Sequence, residues 1–246
     1  MLSFDQSSAL PAAVVAIGFA MLARFMGAVS DGGALVGIVI AFLVMVAAGM
    51  GGLLPLLAVL VMTLLATRWR NERKRNMGVA ERGSGRTASQ VAANLGATAL
   101  CAAAVIVFPR YSGIFMVGAT AALAEAAADT VSSEAGQAAA KQARMIVNFQ
   151  PAPIGTNGAV SLEGTLAGCM AALIVAWMSS FFGVVAGRWA PVVAVAGIAG
   201  MFFDSVLGAK LENRGKMGND SVNFVSTVFA ADLAILVVLF VEGVSA

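Results

Sequence analysis

Six stretches of this 246-residue chain, near 10–28, 91–108, 113–132, 164–182, 189–208 and 222–242, are apolar over a length that can cross a bilayer. A crossing helix takes about 20 residues. Two shorter runs, 34–49 and 53–67, are separated by Gly49, Gly51 and Gly52 and read as a transmembrane hairpin or a re-entrant pair. The expected fold is all-α: a polytopic transmembrane helix bundle forming one integral-membrane domain over 1–246, with eight crossings, or seven or six if the hairpin is miscounted. At 60% hydrophobic and 11% charged residues, a soluble enzyme, a disordered chain, a nucleic-acid binder and a disulfide scaffold are excluded. The sequence has no histidine, which removes imidazole ligands, an imidazole base and a phosphohistidine. Cys101 and Cys169 lie in apolar runs and read as small packing residues.

The 15 Lys and Arg nearly balance the 13 Asp and Glu, so placement matters more than the sum. No Lys or Arg precedes Arg24, and the first span therefore reads as a retained helix rather than a cleaved signal peptide. Arg68, Arg70, Arg73, Lys74, Arg75, Arg82 and Arg86 form a basic loop over 68–86; Lys141 and Arg144 follow the fifth crossing; Lys210, Arg214 and Lys216 follow the seventh. These twelve fall on one side of an eight-crossing chain, against Arg110 and Arg188 on the other. The positive-inside rule makes the basic side cytoplasmic and places both termini outside, with short outer loops at 109–112 and 183–188.

Polar residues inside apolar spans are candidates for function. Glu125, Asp129, Ser132 and Gly136 share one face of the fifth span. On a continuous helix Glu134 points about 140° away from Asp129, so either the helix unwinds near Ser132 or Glu134 has a separate role. In the fourth span Thr87, Gln90, Asn94 and Thr98 make a stripe descending from the basic side, suited to bonding neighbouring helices or to a ligand. Asp204 ends the seventh span; Asn219, Asp220, Asn223 and Thr227 begin the eighth, where a helix N-terminus favours anions and where Asp220 is alternatively an N-cap. Asp232, deeper in the eighth span, is set apart as a structural partner of another helix, with Arg24 the candidate.

The loop over 137–163 holds Gly155, Thr156, Asn157 and Gly158, a turn whose backbone N–H groups suit an anion-binding nest, followed by Ser161 and Thr165 on one face of the next helix start. It is not a Walker A loop, since no Gly-Lys-Ser/Thr follows. All five polar groups fall at the basic ends of their helices. One shared site is the simplest account, and carboxylates, amides, glycines and basic residues together suit Mg²⁺ and a polyphosphate. Below it, walls of Leu, Val, Phe and Ala suit a lipid tail.

Five ordered blocks, Ser84–Asn94, Ala128–Gly136, Gly155–Thr165, Asp204–Ala209 and Asn219–Thr227, together with Gly32–Gly37, resemble the motifs of the integral-membrane family that includes plant phytyl-phosphate kinase and vertebrate transmembrane protein 19. The resemblance runs over roughly 28–242 and implies CTP-dependent phosphorylation of an isoprenoid monophosphate, of phytyl, farnesyl or geranylgeranyl type, to its diphosphate. It further implies that Asp129, Asp204 and Asp220 position Mg²⁺ and the triphosphate. Asn157, Ser161 and Thr165 would hold phosphates, and Arg86, Gln90 and Asn94 would contact nucleotide or acceptor. The family often has an aromatic residue where this chain has Ser132, a change that enlarges the site or accompanies a different acceptor.

Phosphoryl transfer suits a chain without histidine, because a lipid monophosphate arrives already ionised and needs alignment and charge neutralisation more than a base. Lys210 and Lys216, with Arg214, either steer CTP or only set orientation, and Arg68–Arg75 reads as an orientation signal. Two alternatives stand beside the kinase: a CTP-dependent lipid cytidylyltransferase, and a secondary transporter, whose polar groups belong nearer the midplane. Small residues at Gly164 and Gly168, and at Gly183 and Gly187, permit close helix packing within the chain or between subunits of a homo-oligomer.

Overall fold

A computed structural model describes residues 6–80 and 85–243. Arg82 and Ser84, singled out above, lie outside the described residues. Eight α-helices follow in order: α1 Gln6–Phe25, α2 Asp31–Arg68, α3 Asn71–Asn76, α4 Ala88–Val107, α5 Ser112–Ala139, α6 Leu162–Phe181, α7 Ala190–Leu207 and α8 Asn219–Glu242. All except α1 and α3 are long and apolar enough to cross a membrane; the apolar part of α1, Ala9–Phe25, is shorter.

The two short runs are one broken helix. Gly49 interrupts α2 with φ 62° and ψ −156°, a backbone region essentially confined to glycine. Gly51 then packs on the end of α6, where a Cβ would come within 2.6 Å of the Phe182 carbonyl oxygen. The two ends of α2 meet at the opposite side of the bundle, where the Arg68 guanidinium donates to the Met26 carbonyl just ahead of Asp31. The chain therefore passes through the bundle eight times, α2 twice.

The middle of the bundle is α5. Every residue from Met116 to Ala128 on it is buried, and most are alanine or glycine, so α4, α6, α7 and α8 all reach it. Close approach is visible at Gly168, where a Cβ would lie 2.7 Å from the Ala128 carbonyl oxygen, and at Gly164, 2.6 Å from that of Ser132. This small-residue pair thus serves packing within the chain. Gly183 and Gly187 do not form a second such stripe: α6 has ended, and Gly183 turns the chain at φ 73°.

The described basic residues, from Arg68 through Arg86, Lys141, Arg144 and Lys210 to Lys216, gather at one end of the bundle. At the other end Arg188 pairs with Glu242 at 2.7 Å. Arg24 pairs with Asp31 at 2.5 Å, not with Asp232, which is exposed on α8. At the basic end the segment after α5 adds a small antiparallel sheet that the helical reading did not include. Its strands are β1 Ala143–Met145, β2 Pro151–Ala152 and β3 Ala159–Val160, in the order β2-β1-β3, with Arg144 opposite both Pro151 and Val160.

Candidate active site

A cavity of about 240 Å³ opens at the basic end, lined by α4, α5, the segment 154–161, the end of α7 and the start of α8. Each of the five polar stretches picked out above contributes a wall.

Arg86 enters this cavity from a fixed backbone. It precedes α4 and bridges to Val29, its N–H donating to the Ala28 carbonyl at 3.0 Å while its carbonyl accepts from Ser30 at 2.9 Å. Two glycines permit that contact. A Cβ on Gly33 would come within 2.4 Å of the Arg86 carbonyl oxygen, and one on Gly85, at φ 74°, within 2.8 Å of the Val29 backbone. The Arg86 guanidinium lies 3.4 Å from the Thr130 hydroxyl and faces Asp129.

The polar stripe of α4 divides its labour. Thr87 is an N-cap: its hydroxyl accepts from the Gln90 N–H while the Gln90 side chain accepts from the Thr87 N–H at 2.8 Å, a reciprocal capping box. Thr98 donates to the Ala119 carbonyl and ties α4 to α5. Asn94 and Gln90 line the cavity. Asn94 donates to the Gln90 carbonyl at 2.8 Å. With the Asn223 amide oriented by its neighbours, Asn94 also donates to Asn223 at 3.2 Å, and Asn223 donates to Asp204 at 3.2 Å. Ser226 donates to the same Asp204 oxygen, Oδ2, at 3.1 Å. A chain of side chains from α4 through α8 thereby sets the Asp204 carboxylate at the end of α7.

On α5, Asp129 lines the cavity with Arg86, Glu212, Asp204 and Glu125 as its charged neighbours. Glu125 does not line it. One turn deeper, Glu125 is buried, with Oε1 lacking a hydrogen-bond partner, and is wedged so tightly that a Cβ on Gly200 would come within 2.4 Å of its Cγ. The helix stays continuous past Ser132, so Glu134 has the separate role. It lines the rim of the cavity and is held by Lys74 and Thr67. Ser132 lines the cavity and also meets α6, through its carbonyl oxygen at Gly164 and its Cβ at Gly168.

Gly155, Thr156, Asn157, Gly158 and Ser161 form the loop wall of the cavity, with Ser161 against Gly136 of α5. Gly158, at φ 77°, presses its Cα onto the end of α7, where a Cβ would meet the Ser205 carbonyl oxygen and the Ala209 amide nitrogen, each at 2.5 Å. Asn213 secures the turn by donating to the Asn157 carbonyl at 2.9 Å. The nest is narrower than expected, because the Thr156 N–H is committed to the Pro153 carbonyl. Ser161 caps α6 by accepting from the Gly164 N–H at 3.1 Å.

Several expected residues stand outside the lining. Asp220 sits in the first turn of α8 as neither a cavity residue nor an N-cap, that position being Gly218. Thr165 lies a turn inside α6; Thr227 is buried and donates to the Phe224 carbonyl; Lys210 and Lys216 are exposed beyond the cavity. The three-aspartate metal set is therefore not assembled, and among the described residues no group of three acidic or sulfur ligands is close enough to hold an ion. Asp129 and Asp204 do face one cavity, which matches the habit of Mg²⁺ of taking one or two carboxylates and filling its shell with phosphate oxygens and water.

Glu212 is the main cavity residue that sequence reading passed over. It sits on a π-helical turn, Gly208–Glu212, that extends α7 where a loop was expected; such turns often mark functional sites. Thr130 and Ser205 also line the cavity, beside Asp129 and Asp204 in sequence.

No solved structure matches the chain. It is 33% identical over 200 residues to the uncharacterised membrane protein sll0875 of Synechocystis, covering 80% of this chain and 78% of that one. It is 30% identical over 200 residues to the chloroplastic protein VTE6 of Arabidopsis thaliana, covering 78% of this chain and 60% of that one. A Methanocaldococcus jannaschii membrane protein, MJ0933, is 32% identical over 125 residues, 50% of this chain and 51% of its own length. The model of the integral membrane protein family DUF92 matches residues 14–231. A polytopic helical bundle with five separated polar stretches converging at its basic end is thus the form taken here by a member of the DUF92 family of integral membrane proteins.

Proposed function

We propose that this protein is a CTP-dependent kinase that converts an isoprenoid monophosphate into its diphosphate at the cytoplasmic face of the membrane. The observation that carries the reading is the composition of one cavity. Asp129, Asp204 and Arg86 line it together, with Arg86 the cationic neighbour of Asp129, and the Gly155–Gly158 turn lines it too. The block-by-block resemblance to the phytyl-phosphate kinase group supports the same reading, as does a plant relative over most of the chain.

The chemistry needs little from the protein beyond placement. An oxygen of the acceptor monophosphate attacks the γ-phosphorus of CTP, forming a P–O bond as the bond to the β,γ-bridging oxygen breaks, and CDP leaves with that electron pair. The nucleophile arrives ionised, so no proton is removed and no histidine is missed. Arg86 offsets charge on the phosphates, the Gly155–Gly158 turn and Ser161 cradle them, and Asn94 with Asn223 fixes Asp204. Asp129 and Asp204 would hold Mg²⁺, which when bound neutralises charge on the transferring phosphoryl group.

Purified protein in detergent with γ-labelled CTP, Mg²⁺ and phytyl, farnesyl or geranylgeranyl monophosphate tests this. Label should appear in the lipid diphosphate. Absence of label from all three acceptors would overturn the kinase. Label entering the lipid from α-labelled CTP would instead identify a cytidylyltransferase.

A further inference from the structure

Beside the polar cavity lies a second one of about 90 Å³, lined by α1, both halves of α2, α4 and α5. Its walls are apolar: Phe19 and Ala23 from α1, Gly37, Leu56 and Leu60 from α2, and Ala126 from α5. The two cavities share three residues, Arg86, Gln90 and Asn94, which form the partition between them. One side of that partition presents a guanidinium and two amides to a polar space, and the other opens on hydrocarbon.

We infer that this apolar chamber binds the first isoprene unit of the acceptor, the one next to its phosphate, with the phosphate held at Arg86. The inference rests on the acceptor class proposed above, and the join between the two spaces carries it. A molecule with an anionic head and a branched apolar neighbour is what fits a guanidinium and amides on one side and alanine, glycine and leucine on the other. Size fixes how much of the tail is read. An engineered apolar cavity of about 150 Å³ takes six-carbon benzene, so a chamber of 90 Å³ takes a fragment of about four carbons, most of one isoprene unit and no more. The rest of the chain lies beyond it, against the lipid-facing helices.

Two kinds of selectivity are thereby separated. The protein discriminates at the first unit, by its branching and saturation, and tolerates any number of units after it. Gly37 is the residue to change, because a Cβ there meets only the Ala20 methyl, at 4.0 Å. Gly37→Ala is accommodated, and Gly37→Leu projects into the chamber. An apolar void gives up contacts on every wall, so the leucine should raise the thermal midpoint of the ligand-free protein.

The test uses geranylgeranyl monophosphate carrying a diazirine in the isoprene unit next to the phosphate, cross-linked to the full-length protein in detergent and mapped by mass spectrometry. Adducts should map to α1 and α2 around Ala23, Gly37 and Leu60. Gly37→Leu should reduce them at least tenfold, while Gly37→Ala labels as the unaltered protein does and the CTP-induced thermal shift stays the same in both variants. Adducts on outward-facing residues, or adducts unchanged by Gly37→Leu, would overturn the chamber. Because the readout is binding, it stands apart from phosphoryl transfer: a protein that labels at α1 and α2 yet moves no phosphate retains the chamber and loses the kinase. Where transfer is measured, Gly37→Leu should lower kcat/KM at least tenfold for isoprenoid phosphates of every length.

Discussion

Lys74 and Glu134 form an ion pair of 2.6 Å in which the lysine side chain is completely buried. The ammonium also donates to the Ala66 and Thr67 carbonyls at 3.0 and 2.6 Å, and Thr67 donates to the other oxygen of Glu134 at 2.8 Å. Arg73, one residue away, donates to the Ala140 carbonyl at 2.6 Å. Part of what reads as an orientation signal is therefore a clamp. Cations of α3 sit on the final carbonyls of α2 and α5, where the helix dipole favours positive charge, and fix the rim of the cavity through Glu134.

Removing one partner of a buried pair leaves the other uncompensated, at a cost of about 3 to 5 kcal/mol. Lys74→Met should therefore lower the thermal midpoint in detergent strongly, and Lys74→Met with Glu134→Gln should recover part of the loss. Equal destabilisation by the exposed neighbour Arg75→Met would show that the run acts only as bulk charge.

Gly49 decides whether α2 is a hairpin. Gly49→Ala forces a side chain into backbone geometry that costs about 1 to 3 kcal/mol. Thermal unfolding should register that loss, whereas Gly78→Ala, at φ 72° in the exposed turn after α3, should leave the bundle's packing intact. Retained stability of Gly49→Ala would contradict the reversal at that residue.

Gly158→Ala meets both a positive φ and the Ser205 carbonyl oxygen, so the turn must leave the end of α7. Transfer should fall at least tenfold. Gly155→Ala also meets a positive φ, 86°, but its Cβ contacts only Val79 side-chain atoms, the nearest at 2.5 Å, rather than backbone, and should cost less. Parallel steady-state assays check the order of the two.

Ser226 and Asn223 both serve one oxygen of Asp204. A hydrogen bond to a charged group contributes about 1.5 to 3 kcal/mol, so Ser226→Ala should lower kcat by about ten- to a hundredfold if Asp204 acts in the transition state, with little change in KM for CTP. Asp204→Asn should abolish transfer while preserving the fold, and should remove the Mg²⁺ dependence of the CTP-induced thermal shift. A Mg²⁺-dependent shift equal to wild type in Asp204→Asn would remove the metal role from Asp204.

Bundle and polarity follow from composition and spacing, because hydrocarbon admits only segments that satisfy their own backbone and because charged residues cannot be spread at random along such a chain. The same reasoning finds Asp129, Asp204, Asn94 and Asn223, polar residues placed where an apolar span gives no reason for them. It also groups Asp220, Thr165 and Thr227 with them, and the structure places these three outside the cavity lining, since a shared helix face does not say which neighbour that face meets. It passes over Glu212, whose position depends on a π-helical turn with no sequence signature, and Lys74, whose burial depends on how α3 folds back over α2 and α5.

What the sequence by itself determined is that this chain lives in a membrane, crosses it repeatedly and keeps its charge at one end; hydropathy is additive along the chain and needs no knowledge of neighbours. What only the tertiary structure decided is which polar groups meet, that Gly49 turns two short runs into a hairpin, and that the polar cavity shares Arg86, Gln90 and Asn94 with an apolar one. Those are relations between residues distant in the chain, set by backbone dihedrals and by the few positions, such as Gly33, Gly158 and Gly168, where one missing methyl lets two segments touch.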